Sequence, residues 1–248
     1  MNRRKLAFCT IVWVTLILAC SVPLIFTPNS QDILISTAVV DKVDRETKIP
    51  ANAVKILPET DEHPPLLNSS DYEKPVPVPG GVNTAGAEDS PFITPDGITL
   101  YFFFTPDINV PVEKQILDGV TGIYVSKKVN GEWSEPERVV LQDLGKLAMD
   151  GCEFVSGDIM WFCTVREGYT DIHWFTAEYK NGMWQNWKIA DFPDYKVGEL
   201  HITGDGTELY FGSDRPGGKG KRLLIAVPLW HSWDSAQLRP CGNCGRNG

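Results

Sequence analysis

Carboxylates gather at three places along the chain, each just upstream of an aromatic run: Glu88 with Asp89, Asp150 with Glu153, and Glu199 beside His201. Two carboxyl groups held on either side of a sugar can act as acid and as base or nucleophile, the chemistry of glycoside hydrolysis. Glu88, Asp89, Glu153 and Glu199 are therefore the candidate catalytic residues if the protein is an enzyme. The same acids would serve equally as solvated strand ends or as acceptors for neighbouring backbone amides. Arg166 and Arg215 occupy similar places after an aromatic run, where they could tie loops to carboxylates. With Glu199 and His201 they are the candidate ligand-binding residues. Cys152 and Cys163 flank the Gly157-Asp158 turn almost symmetrically. A two-residue hairpin would set them face to face as a disulfide candidate, whereas a register slip of one would leave two buried thiols on opposite faces.

Other chemistry finds little support. No P-loop, G-x-S-x-G elbow, H-E-x-x-H or dinucleotide glycine fingerprint is present. Gly217-Gly218-Lys219-Gly220-Lys221 is glycine-rich and basic, but it reads as an inter-strand loop with no helix after it to hold a phosphate. Cys241 and Cys244 form a lone C-x-x-C without the second pair a zinc site needs. No metal or cofactor is expected. The chain carries 32 acidic against 23 basic residues, a formal net charge of −9, and so lacks the basic face that binding to nucleic acid requires.

These residues sit on a repeated pattern of short strands. Leu100-Tyr101-Phe102-Phe103, Met160-Trp161-Phe162-Cys163 and Leu209-Tyr210-Phe211 each follow a turn, and before that turn a short apolar strand. Asp96-Gly97 and Asp205-Gly206 supply the φ > 0 such turns need. A second landmark keeps step: Asn130-Gly131-Glu132-Trp133 and Asn181-Gly182-Met183-Trp184 are hairpin signals roughly fifty residues apart, close to the spacing of the aromatic runs. The unit is four short antiparallel strands. Phe102, Phe103 and Phe104 run consecutively, so both faces of that sheet need cover. Sheets fanned about an axis cover one another, whereas a two-sheet sandwich explains the strands but not the shared period. The expectation is an all-β protein, a β-propeller of four-stranded blades, incomplete at about three to four blades.

Thr94-Pro95-Asp96-Gly97-Ile98-Thr99-Leu100-Tyr101-Phe102, Thr203-Gly204-Asp205-Gly206-Thr207-Glu208-Leu209-Tyr210-Phe211 and Ser213-Asp214-Arg215 resemble the WD-like repeat of TolB-type propellers. The resemblance spans roughly residues 71–220. It implies an extracytoplasmic bacterial or archaeal module that binds proteins, and on occasion a partner of hydrolase domains. The pattern departs in two places. Ser156-Gly157-Asp158 makes a shorter turn, and after Gly220 the expected strand and Asn-Gly hairpin do not follow, which suggests a natural domain longer than this chain or one altered in frame.

Residues 6–26 contain no charge and follow Arg3-Arg4-Lys5, the pattern of a membrane segment with its N-terminus in the cytoplasm. Three outcomes stay open: a retained signal anchor, cleavage after Ser21, or lipidation of Cys20 in a loose lipobox. The domain reading is a signal anchor or signal peptide over 1–27, an extended stalk over 28–70, propeller repeats over 71–230 and an irregular tail over 231–248. Together these make a membrane-tethered module with its bulk in the periplasm or on the cell surface. It would act by binding or scaffolding a protein partner of the cell envelope, with a glycosidase-like hydrolase as the alternative.

Overall fold

The computed structural model describes residues 44–190, 196–205 and 207–214, and the backbone of 225–228 and 239–240. Residues 6–26, expected to be a membrane segment, together with Cys20, Arg215 and the Cys241/Cys244 pair, lie outside the described residues. Among those described, no helix is long and apolar enough to cross a membrane.

The protein is built of antiparallel β-sheets that follow one another along the chain. The first holds β1 (Ala87–Ile93), β2 (Thr99–Thr105), β3 (Gly122–Val129) and β4 (Glu132–Trp133), with β5 (Glu137–Arg138) also on β3. The second is β6 (Ala148–Ser156), β7 (Ile159–Arg166), β8 (His173–Lys180) and β9 (Met183–Ile189), paired in sequence order. The third is β10 (Val197–Ile202), β11 (Glu208–Ser213), β12 (Ile225–Pro228) and β13 (Arg239–Pro240), again in sequence order. The strand pattern therefore continues past Gly220. Val227 and Pro228 pair with the start of β11, and β13, which pairs with Ile225 and Ala226, falls inside the tail read as irregular. A single-turn helix, α1 (Val112–Gln115), interrupts the β2–β3 connection.

Local turn chemistry explains why the chain reverses where it does. Asn130 (φ 53°) with Gly131 (φ 89°), and Asn181 (φ 55°) with Gly182 (φ 81°), take the paired left-handed conformations that match the twist of a two-residue hairpin. The Thr-x-Asp-Gly turns are built alike. Thr94 Oγ1 donates to Asp96 Oδ1 (2.6 Å) and Thr203 Oγ1 to Asp205 Oδ1 (2.6 Å). The next backbone amides, Ile98 N–H and Thr207 N–H, donate to the same carboxylate oxygens. These bonds hold the Asp205 carboxyl at about 2, the Thr203 hydroxyl contributing most.

Period-two alternation then sends neighbouring side chains to opposite sides. From β2, Leu100, Phe102 and Phe104 face one cluster with Val120 and Tyr124, while Tyr101 faces another. From β7, Met160 and Phe162 join Tyr101 and Ile123 between the first and second sheets. Cys163 joins Trp174, Leu209 and Phe211 between the second and third. The middle sheet is thus covered on both faces, each fully buried large side chain contributing about 1.5–3 kcal/mol. The second and third sheets each approach the preceding sheet through their own first strand. Backbone of β6 approaches β1, β2 and β3 within 8 Å between Cα atoms, and β10 does the same to β6, β7 and β8.

The far face of the first sheet is covered by the chain before it. Val82 is buried there, with Ile49 and Val78 packed alongside. Arg45, only 3 % exposed, lies beneath them on a short 3-10 turn, Arg45–Lys48. Within the stretch read as a stalk, Arg45 and Ile49 are therefore part of the folded body. Gly86 permits this closure: a Cβ there would stand 2.7 Å from Phe104 Cε2 and 3.1 Å from the Thr105 carbonyl oxygen. Gly86→Ala is expected to cost about 1–3 kcal/mol through overpacking, read as a lowered urea midpoint at unchanged slope. A midpoint equal to wild type would mean that Phe104 yields freely.

Candidate functional site

Each sheet's first strand is interrupted at the same level. In the first sheet, Asp89 pairs with Phe103 but Phe92 with Tyr101, so Ser90 and Pro91 oppose a single residue. In the second, Gly151 pairs with Cys163 but Phe154 with Trp161, so Cys152 and Glu153 oppose Phe162 alone. In the third, Gly198 pairs with Gly212 but Leu200 with Phe211, leaving Glu199. Three one-residue bulges in register re-aim side chains that regular alternation would have placed elsewhere. Ser90 (φ 49°) and Cys152 (φ 53°) are left-handed at equivalent places.

The bulges gather Asp89, Cys152, Glu153 and Glu199 from three sheets into one electrostatic neighbourhood. Asp89 and Glu199 are exposed, and both charges act on Cys152. Asp89 Oδ1 accepts from the Ser90 backbone N–H (2.7 Å). Glu153 lies underneath, 4 % exposed, and neither carboxyl oxygen has a hydrogen-bond partner. Its own amide N–H approaches without bonding geometry. Burial therefore pushes the Glu153 carboxyl well above the usual range, and the nearby Cys152 and Asp89 add to the effect. Burial likewise raises the Tyr101 hydroxyl, close enough to feel Glu153, to about 12.

The bulge also decides the cysteine geometry. Because the register shifts by one, the residue directly across from Cys163 is Gly151, not Cys152. Both cysteines are free thiols, Cys152 half-buried and Cys163 fully buried, and Cys152 packs against the cluster that holds Cys163 and Trp174. The neighbouring Cys163 side chain holds the Cys152 thiol below its ordinary value, while Cys152 and burial push the Cys163 thiol well above it.

The remaining candidates are committed to the fold or stand apart. Glu88 Oε1 accepts from the Thr84 hydroxyl (2.7 Å), the Thr84 amide (3.1 Å) and Arg45 (3.3 Å). Asp150 bonds Arg166 Nη2 at 3.0 Å, and the same nitrogen donates to the Leu141 carbonyl. Burial is the larger influence on Asp150 and raises its carboxyl, with Arg166 and Thr164 opposing. The Arg166 guanidinium lies 4.5 Å from the centroid of the Phe175 ring. It also forms part of a cleft of about 190 Å³ with Lys146, Glu167, Tyr169 and Trp187, but its bonds turn inward. His201 is exposed, paired with Tyr210 in the ladder and edge-on to Phe154 at 5.1 Å. Among the described residues, no group of three or more His, Cys, Asp or Glu side chains is arranged to hold a metal.

Sequence reasoning missed the bulges and Arg45. Ser90-Pro91 carries a hint of the first bulge, since proline within a strand is confined to edges and irregularities. Arg45 stands in a stretch with no strand or helix period and gives no such signal. Compared with known proteins, the chain matches no family model, no curated protein and no solved structure.

Proposed function

We propose that this chain is a propeller-type binding module, tethered outside the cytoplasm through residues 6–26, which engages a protein partner at the bulges of its first strands. The observation that carries the proposal is the close approach of β6 to the first sheet and of β10 to the second. Sheets stacked flat keep about 10 Å between their backbones, whereas here β6 and β10 each close to within 8 Å of the preceding sheet. A fan with the first strands innermost accounts for that approach and for bulges at one level. On this reading the resemblance to TolB-type repeats reflects a shared architecture. Asp89 and Glu199 are exposed at these bulges, on a chain of net charge −9, and they favour a partner segment rich in Lys or Arg.

A hydrolase reading is less well supported, because a general acid must reach the leaving-group oxygen. Glu153, whose carboxyl burial pushes well above the usual range, has no accessible oxygen. Glu88 is occupied by Thr84 and Arg45. The test compares wild type with Asp89→Asn/Glu199→Gln in retention of membrane-derived proteins on the immobilised exported part of the chain. A partner retained by wild type and lost by the double variant, more strongly at low salt, is the expected result. Equal retention by both proteins, or turnover of glycosides abolished in the double variant, would overturn the proposal.

A further inference from the structure

The thiols of Cys152 and Cys163 lie on adjacent strands, one half-buried and one fully buried, and pack in one cluster. The β6 bulge creates this contact. It adds a residue to one strand only, and the left-handed backbone at Cys152 places a side chain off the regular alternation. The position corresponding to Cys152 in the first sheet is Ser90, which is also left-handed. The backbone conformation therefore belongs to the architecture and is not imposed by the sulfur.

We propose that Cys152 and Cys163 form a thiol–disulfide couple that reacts with disulfide substrates, Cys152 attacking and Cys163 resolving. In the first step the Cys152 proton leaves to solvent and its thiolate attacks one sulfur of RS–SR. A Cys152–SR bond forms, the S–S bond of the substrate breaks, and RS⁻ departs. In the second step Cys163 loses its proton and attacks Sγ of Cys152, forming the intramolecular disulfide and expelling the second RS⁻. Two thiols are oxidised and one external disulfide is reduced to two thiols, so electrons and atoms balance.

The order of attack follows from access. Cys163 is 1 % exposed, against Trp174 and beneath the sheet interface, whereas Cys152 is half-buried at the bulge. Thiol–disulfide exchange needs a thiolate that the incoming sulfur can reach. The neighbouring Cys163 side chain favours the Cys152 thiolate, while burial, Glu199 and Asp89 oppose it. The two carboxylates also disfavour anionic substrates, so an uncharged or cationic disulfide should react faster than glutathione disulfide. Closing the ring needs side-chain rotation to an S–S length of roughly 2.05 Å, between neighbouring strands that are already paired. The couple works through geometry alone and does not depend on the binding role proposed above.

The test uses the full chain with Cys9, Cys20, Cys241 and Cys244 replaced by Ser, so that the two thiols in question remain. Cystamine and glutathione disulfide are the probes, with acid quench, alkylation and peptide mass mapping. The expected result is loss of both free thiols, a linked peptide containing Cys152 and Cys163, and faster reaction with cystamine. Cys163→Ser should trap a stable mixed disulfide on Cys152, while Cys152→Ser should react at least tenfold more slowly. Should either variant fail to fold, native thiol labelling of the parent should show one fast and one slow cysteine, the fast one being Cys152. Mixed disulfides on both cysteines without a linked peptide, equal labelling rates, or no oxidation at millimolar cystamine would each overturn the proposal.

Discussion

Replacing Arg45 by Ala is expected to destabilise the fold by about 3–5 kcal/mol, the range for removing one partner of a buried ion pair. The guanidinium sits 4.8 Å from the Phe104 ring centroid, 5.3 Å from Phe102 and 5.4 Å from Tyr124. One of its nitrogens donates to the carbonyls of Gly81 and Val82, the latter at 2.9 Å, and the other to Glu88. Truncation takes the cation from the Glu88 carboxylate, which keeps only its Thr84 bonds, removes the donor to the Gly81 and Val82 carbonyls, and opens a void over three aromatic rings. Arg45→Met should recover part of the loss, because an apolar chain of similar length refills the void without restoring the bonds. The measurement is urea unfolding, joined to limited proteolysis within residues 50–80. If Arg45→Ala costs under about 1 kcal/mol and leaves the cleavage pattern unchanged, the chain before β1 is not a structural cover for the first sheet.

The place Arg45 occupies has a counterpart. In the second sheet the guanidinium of Arg166 lies over Phe162 and Phe175, which are partners across β7 and β8. In the first sheet Phe102 and Tyr124 are the corresponding partners across β2 and β3. Arg166 comes from the end of β7 itself, but the residue four beyond Phe102 is Pro106, whose ring carries no cation to offer. Arg45 reaches the same aromatic pair from outside the sheet. Both sheets thus complete an aromatic face with a buried cation and an acid from the first strand, Glu88 in one case and Asp150 in the other. Asp150 and Arg166, a candidate carboxylate and a candidate ligand-binding residue, accordingly hold each other.

How far the sequence foretold this follows from how local each cause is. The turns at Asp96-Gly97, Asn130-Gly131 and Asn181-Gly182 were legible because their backbone preference resides in the residues themselves. The two-faced burial of β2 and β7 was legible because a run of aromatics under period-two alternation has no other outcome. The bulges were not, because a register shift is a relation between two strands and leaves no fixed mark on either. That one shift set Gly151 opposite Cys163 and placed Glu153 beneath the surface where a strand-end acid was expected. Arg45 escaped for a related reason, since its burial depends on aromatic faces far along the chain.

Glu153 should make the fold lose stability as pH rises, and Glu153→Gln should remove that loss. In the unfolded chain this carboxyl titrates near its ordinary value of 4.5, whereas in the fold burial raises it well above that. Below the ordinary value both states hold the proton, and the favourable contribution of the neutral group is fully present. Between the two values only the fold holds it, so raising the pH draws protons from the unfolded state and stability falls by up to about 1.4 kcal/mol per pH unit. Above the folded value both states are ionised and the loss stops growing. The same sign applies to Asp150, whose contribution is common to wild type and variant and cancels in their difference. Glutamine cannot titrate, so the stability difference between the proteins should shift in favour of Glu153→Gln from about pH 5 to about pH 8. Urea midpoints for the two proteins across that range make the comparison. Parallel profiles would mean that water or a cation satisfies the carboxyl in solution. A wild type that gains on the variant as pH rises would mean that the carboxyl is held ionised, and the bulge would then present three negative charges to a partner in place of two.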